Sequence, residues 1–287
     1  MTEIHTTTTA RPTGLDDVRR LYLELMKNAL TRYSFGERWQ PYSPRAHTWR
    51  HGVFRLARRF LDRRGLEVVS RFPFDPEARA EGRDWPPEAE TMIGLRRLGN
   101  LEHSIRDVIE QGIPGDLIET GVWRGGACIY MRAMLEAYGE RDRTVWVADS
   151  FRGLPKPEDG REEDAEDALW SVPFLAVPQE KVAANFARYG LLDDQVRFLP
   201  GWFSDTLPTA PIEHIAVMRL DGDMYDSTMV ALRSLYPKLS VGGYVIVDDY
   251  HAIRGCKQAV DDFRAELGIT DELHQVDWTG RYWQRTS

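Results

Sequence analysis

Cysteine is almost missing from this chain: Cys128 and Cys256 are the two among 287 residues. That is too few for a disulfide framework, so both read as packing residues in a reducing cytoplasm. Long apolar runs are missing too. No stretch approaches the ~18 residues of a membrane span, and the N-terminus lacks the core of a signal peptide, which predicts a soluble protein with no membrane partner. Basic residues are in deficit, 37 against 45 acids, for a net charge of −8. This balance disfavours nucleic acid and anionic surfaces and points to a small-molecule partner.

A hydrophobic content of 42% is enough for a real core. Residues 1–13, with four consecutive threonines, lack apolar periodicity and read as a disordered tail. From Leu15 the pattern turns helical: Val18, Leu21, Leu25, Ala29 and Leu30 fall near one face, which predicts a helix packed on the main domain or on a second subunit. An arginine-rich helix is expected over 48–64, with a solvated or interface face rather than a nucleic-acid one. Residues 71–90 hold four prolines and read as a loop, either a linker or a mobile cover over a pocket. These segments form an N-terminal helical extension and lid, 14–90, before a main domain over 91–287.

The main domain alternates strands with helices. Thr91 stands where a helix through Leu95, Leu98, Leu101, Ile105 and Val108 is expected to begin, as its cap, with free N–H groups for a ligand carboxylate. Asp116-Leu117-Ile118-Glu119-Thr120-Gly121-Val122-Trp123-Arg124-Gly125-Gly126 reads as strand, glycine turn and helix start, the opening of a nucleotide-binding α/β fold. It departs from the dinucleotide pattern. Glu119 at the strand end repels pyrophosphate and attracts an ammonium group, which favours S-adenosylmethionine over NAD. The next strand, 144–148, ends at Asp149-Ser150, where an acid accepts ribose hydroxyls. Residues 158–167 are acidic, a solvated surface or a border of the substrate mouth. After a third strand, Trp202 either lies against an adenine ring or packs in the core.

Two further strands end in acids: Met218-Arg219-Leu220-Asp221-Gly222-Asp223 and Tyr244-Val245-Ile246-Val247-Asp248-Asp249. Apolar, β-branched runs that stop at carboxylates are how buried parallel strands read when they open into a crevice. Lying side by side, they bring Asp221, Asp248 and Asp249 to one edge, and three oxygen donors suit a hard divalent cation. Asp226 or Ser227 is the expected cap of the following helix. A C-terminal hairpin around Thr279-Gly280 completes an α/β, Rossmann-like pattern of seven strands, mostly parallel.

The blocks around Glu119 to Gly126, Asp149-Ser150-Phe151, Asp221 to Tyr225 and Asp248-Asp249-Tyr250, with Gly82-Arg83-Asp84-Trp85-Pro86 and Thr91-Met92, resemble the macrocin O-methyltransferase family, which methylates sugar hydroxyls on antibiotics. The resemblance implies a class I methyltransferase fold that binds S-adenosylmethionine through Thr91, Met92, Glu119, Thr120, Gly121, Val122, Asp149, Ser150, Trp202 and Asp221. It also implies Mg²⁺ on Asp221, Asp248 and Asp249, with Asp223 as general base. Tyr225 and His251 are candidate substrate contacts, His251 alternatively pairing with an acid. The partners implied are a glycosylated small molecule and a second copy of the chain, in a homodimer or higher oligomer. A catechol or other vicinal diol is the alternative acceptor, and a non-catalytic binding module the alternative class.

Overall fold

The computed structural model describes residues 14–42, 49–157, 164 and 168–287; the expected tail, 1–13, and most of the acidic stretch lie outside them. The chain opens with α1 (Leu15–Leu30), β1 (Arg38–Pro41), α2 (Trp49–Asp62), β2 (Val69–Phe72) and α3 (Pro76–Ala80). Then follow α4 (Leu95–Glu110), β3 (Asp116–Thr120), α5 (Gly126–Tyr138), β4 (Val145–Asp149), α6 (Gln179–Arg188), β5 (Val196–Pro200) and α7 (Phe203–Thr206). The last third runs β6 (Ile215–Leu220), α8 (Tyr225–Leu235), β7 (Leu239–Val247), α9 (Arg254–Leu267), β8 (His274–Gln275) and β9 (Arg281–Gln284).

Seven strands make one sheet in the order β5-β4-β3-β6-β7-β9-β8. β3 to β7 are parallel and β9 and β8 antiparallel, so the expected parallel sheet with a C-terminal hairpin is what forms. Successive side chains alternate between its faces. Leu117, Val147, Val217 and Ile246 pack under α1, α4, α5 and α6, while Ile118, Met218, Val245 and Val247 pack under α8 and α9. Helices cover both faces, which is why these strands are apolar throughout.

Register decides where the functional residues land. Thr120 is paired with Ala148 on one side and with Leu220 on the other, and Leu220 is paired with Val247. The next residues, Gly121, Asp149, Asp221 and Asp248, therefore leave the sheet side by side at its carboxyl edge. The chain departs from β3 in one direction to β4 and β5 and returns on the other flank to β6, a switch point that opens a crevice there.

Four local expectations are corrected. The apolar stripe of α1 is shifted: of the expected face Leu30 is buried, together with Leu23 and Met26 on the side packed against α5, whereas Val18, Leu21 and Leu25 are exposed. α4 starts at Leu95 with Gly94 as its cap residue, not Thr91. A Cβ at Gly94 would lie 2.2 Å from the Ala80 carbonyl oxygen, so the bend before the helix sits where only glycine fits. Residues 71–90 are not wholly loop; Asp75 accepts from the N–H groups of Glu77 and Ala78 and, with Pro76 in the first turn, starts α3. The cap position of α8 is Met224 rather than Asp226 or Ser227.

Candidate active site

A cavity of about 400 Å³ opens at the carboxyl edge. Of the residues expected to hold a cofactor, Met92, Gly121, Asp149, Ser150, Trp202 and Asp221 line it. Thr91, Glu119, Thr120 and Val122 are buried and outside its lining. Leu154, Pro155 and Val230 add apolar wall. Asp149 is held by backbone groups: one oxygen accepts from Val122 N–H at 2.8 Å and the other from Phe151 N–H at 2.7 Å. Burial raises its carboxyl above the ordinary value despite these bonds. Trp123, Phe151 and Asp223, all near strand ends, have φ of 46°, 56° and 57°. Strain of this kind in non-glycine residues collects at functional sites.

Beneath the acids runs a buried ionic network. Arg219, 1% exposed next to the carboxyl end of otherwise apolar β6, donates to Glu119, to Asp221 at 2.8 Å, and to Asp248. Arg97 of α4 donates to the other oxygen of Asp248 and lies 3.0 Å from Asp277. Burying a guanidinium costs several kcal/mol unless carboxylates and hydrogen bonds offset it, and here both cations are met by acids from distant strand ends. Glu119 also accepts from Cys128 Sγ at 2.8 Å, and burial pushes its carboxyl up to about 7. Glu119 thus faces an arginine and a thiol rather than the cavity. Burial holds both cysteine thiols far above their usual value, in keeping with packing roles.

Asp221, Asp223 and Asp249 each bring a carboxylate oxygen within 4.8 Å of the others, and none is exposed. One Asp249 oxygen is buried without a hydrogen-bond partner. Burial and the charges of Asp223, Asp221 and Asp248 drive the Asp249 carboxyl well above its ordinary value, and burial raises that of Asp221. An all-oxygen cluster with an orphaned carboxylate oxygen has the chemistry of a hard-cation site. Asp248 is drawn away from it by the two arginines. Tyr225 bonds Asp262 through its hydroxyl at 3.0 Å, and His251 stacks edge-on against Tyr250; neither lines the cavity. The His251 imidazole is held below its usual value by partial burial and by Arg281 and Lys257.

Residues 19–285 match the family model described as macrocin-O-methyltransferase (TylF). The chain belongs to this family. It is accordingly an O-methyltransferase, and the relatives of the family fill in the range. A demethyldecarbamoylnovobiocin O-methyltransferase of Streptomyces niveus is 60% identical over 212 residues, 73% of this chain and 81% of the relative. An 8-demethyl-8-(2,3-dimethoxy-alpha-L-rhamnosyl)-tetracenomycin-C 4'-O-methyltransferase of Streptomyces olivaceus is 48% identical over 280 residues, 95% of each chain. Among solved structures, the O-methyltransferase NovP superposes with a TM-score of 0.80 at 50% identity, covering 94% of this chain and all of that one. Local patterning passed over Arg97, Arg219 and Asp277. The signal for Arg219 was present, since a lone charge inside an apolar strand has to meet an opposite charge.

Proposed function

We propose that this macrocin-family O-methyltransferase transfers a methyl group from S-adenosylmethionine to a sugar hydroxyl of a glycosylated natural product, with Mg²⁺ at the acid cluster. The observation that carries this reading is that Asp221 and Asp223 belong to both the cavity wall and the three-carboxylate cluster, so a donor in the cavity and an acceptor at the cluster would meet across these two side chains. The rhamnosyl group in the name of the Streptomyces olivaceus relative supports a sugar acceptor.

Each residue has a role in this reading. Asp149, its carboxylate aimed by two backbone N–H groups, binds ribose hydroxyls beside Ser150, and Trp202 offers an aromatic face to adenine. The donor's sulfonium carries the methyl and needs no protein nucleophile, so the enzyme's work is alignment and removal of a proton. Asp221 and Asp249 would hold the cation, which when bound lowers the pKa of a coordinated hydroxyl. Asp248, now bonded to Arg97 and Arg219, would be its third ligand. Asp223 takes the proton as general base.

The test compares demethyldecarbamoylnovobiocin with catechol as acceptor, with and without a chelator. Methylation of the glycosylated compound that chelation abolishes and Mg²⁺ restores is the expected result; exclusive catechol methylation overturns the sugar reading. Asp249→Ala should weaken Mg²⁺ binding at least ~10-fold, and excess Mg²⁺ should recover part of the rate.

A further inference from the structure

Asp164, in the acidic stretch between β4 and α6, has a side chain that is almost completely buried. Its two oxygens face the backbone N–H of Tyr225 at 3.0 and 3.1 Å. Tyr225 opens α8, and a helix start leaves such N–H groups without intrahelical partners. Met224, at the cap position, has a thioether where a cap residue carries an acceptor oxygen, and makes no cap hydrogen bond. The carboxylate also rests on Gly255 in the first turn of α9. A Cβ at Gly255 would lie 2.0 Å from Asp164 Oδ1 and 2.9 Å from Tyr225 N. The seat is therefore built from both helices, one giving an N–H and the other withholding a side chain.

Two residues before Tyr225 stands Asp223, with its left-handed φ of 57°. Met224 N–H reaches back to the Gly222 carbonyl at 2.6 Å, so the backbone folds tightly around Asp223. A strained turn persists only where the surrounding structure over-determines it. We propose that Asp164 is a positioning residue: by fixing the Tyr225 N–H it holds the far end of this turn and keeps the Asp223 carboxylate aimed into the group it forms with Asp221 and Asp249. This rests on Asp223 being the base. Gly153, Leu154 and Pro155, which follow β4, line the cavity.

A helix cap that merely adds stability would lower the melting temperature and leave catalysis alone, so the test separates the two. Turnover of demethyldecarbamoylnovobiocin, calorimetric affinity for S-adenosylhomocysteine, melting temperature and hydrogen exchange of the Tyr225 amide are measured for Asp164→Ala, Asp164→Asn and Gly255→Ala. Asp164→Ala should lower kcat by about 10-fold or more, the scale of a misaligned reacting group. Acceptor KM and S-adenosylhomocysteine affinity should stay within about twofold while the Tyr225 amide exchanges at least about 10-fold faster, as expected when a protecting bond is lost. Asp164→Asn keeps an acceptor oxygen and should recover most of the rate. Gly255→Ala should reproduce Asp164→Ala, and the double variant should be no worse than the worse single one. Unchanged kcat, unchanged Tyr225 exchange, or a loss that Asp164→Asn does not recover each overturns the proposal. Full activity of Asp223→Asn would instead remove the base, a failure that the Tyr225 exchange rates distinguish because they read the seat directly.

Discussion

Asp248 and Asp249 are neighbours in sequence and opposites in environment. The first has both carboxylate oxygens taken by guanidinium groups, Arg219 on one and Arg97 on the other. The second turns to the cluster with Asp221 and Asp223 and keeps a buried oxygen without a hydrogen-bond partner. Consecutive residues leaving a strand point to different sides, so one acid falls into the sheet's ionic floor and the other onto its rim. The difference separates two uses of a buried carboxylate. Where arginines hold it, the group ties the floor together and would have to exchange a bond to take a ligand; where an oxygen is left over, it has that capacity already.

The floor is the easier half to break. Arg97→Leu leaves Asp248 and Asp277 without that cation, and urea unfolding should show a loss of about 3–5 kcal/mol, the usual cost of removing one partner from a buried pair. A loss below about 1 kcal/mol, the range of surface pairs, would mean that the floor is solvated. On the rim, Asp223→Asn should lower turnover by roughly 10²-fold while calorimetric affinity for S-adenosylhomocysteine stays nearly unchanged. A fall in affinity matching the fall in turnover would assign Asp223 to binding instead. The smallest effect sharpens the floor itself. Glu119, pushed up to about 7, holds its proton more tightly in the folded chain than in the unfolded one. Stability from that proton is present below the ordinary carboxylate value of 4.5 and is lost as pH rises through about 7. With a chelator present, Glu119→Gln should therefore gain on the parent chain by a few degrees of melting temperature (roughly 2–4 °C) between about pH 5 and pH 8. A gap that does not move with pH means that Arg219 keeps Glu119 ionised throughout.

Strand ends were the most legible part of the chain. Runs such as Val145 to Ala148 and Ile215 to Leu220 are apolar because both faces are covered, and the acid that stops each one marks the open edge. Asp149, Gly121 and Asp221 follow directly from that logic and line the cavity. The side of α1 was not legible, because Val18-Leu21-Leu25 and Leu23-Met26-Leu30 both repeat at helical spacing and only tertiary packing chooses between them. Pairings across the chain were hidden for a different reason. Arg219 meets Glu119 from 100 positions away and Tyr225 meets Asp164 from 61 away, and local periodicity holds no record of such contacts. Glu119 stands at the expected strand end, and the cation beside it is the buried Arg219.

Gly121 has a consequence for how far this enzyme can be altered. A Cβ at that position would lie 1.7 Å from the Asp221 carbonyl oxygen, so the exits of β3 and β6 touch through main-chain atoms alone. In-line displacement asks for oxygen, carbon and sulfur along one axis within tenths of an ångström. Under the proposed function, the spacing between donor side and acceptor side would be set by this peptide-to-peptide contact, which no change of rotamer can lengthen. It works as a fixed gauge. Wall residues such as Leu154 and Val230 can change without touching this contact.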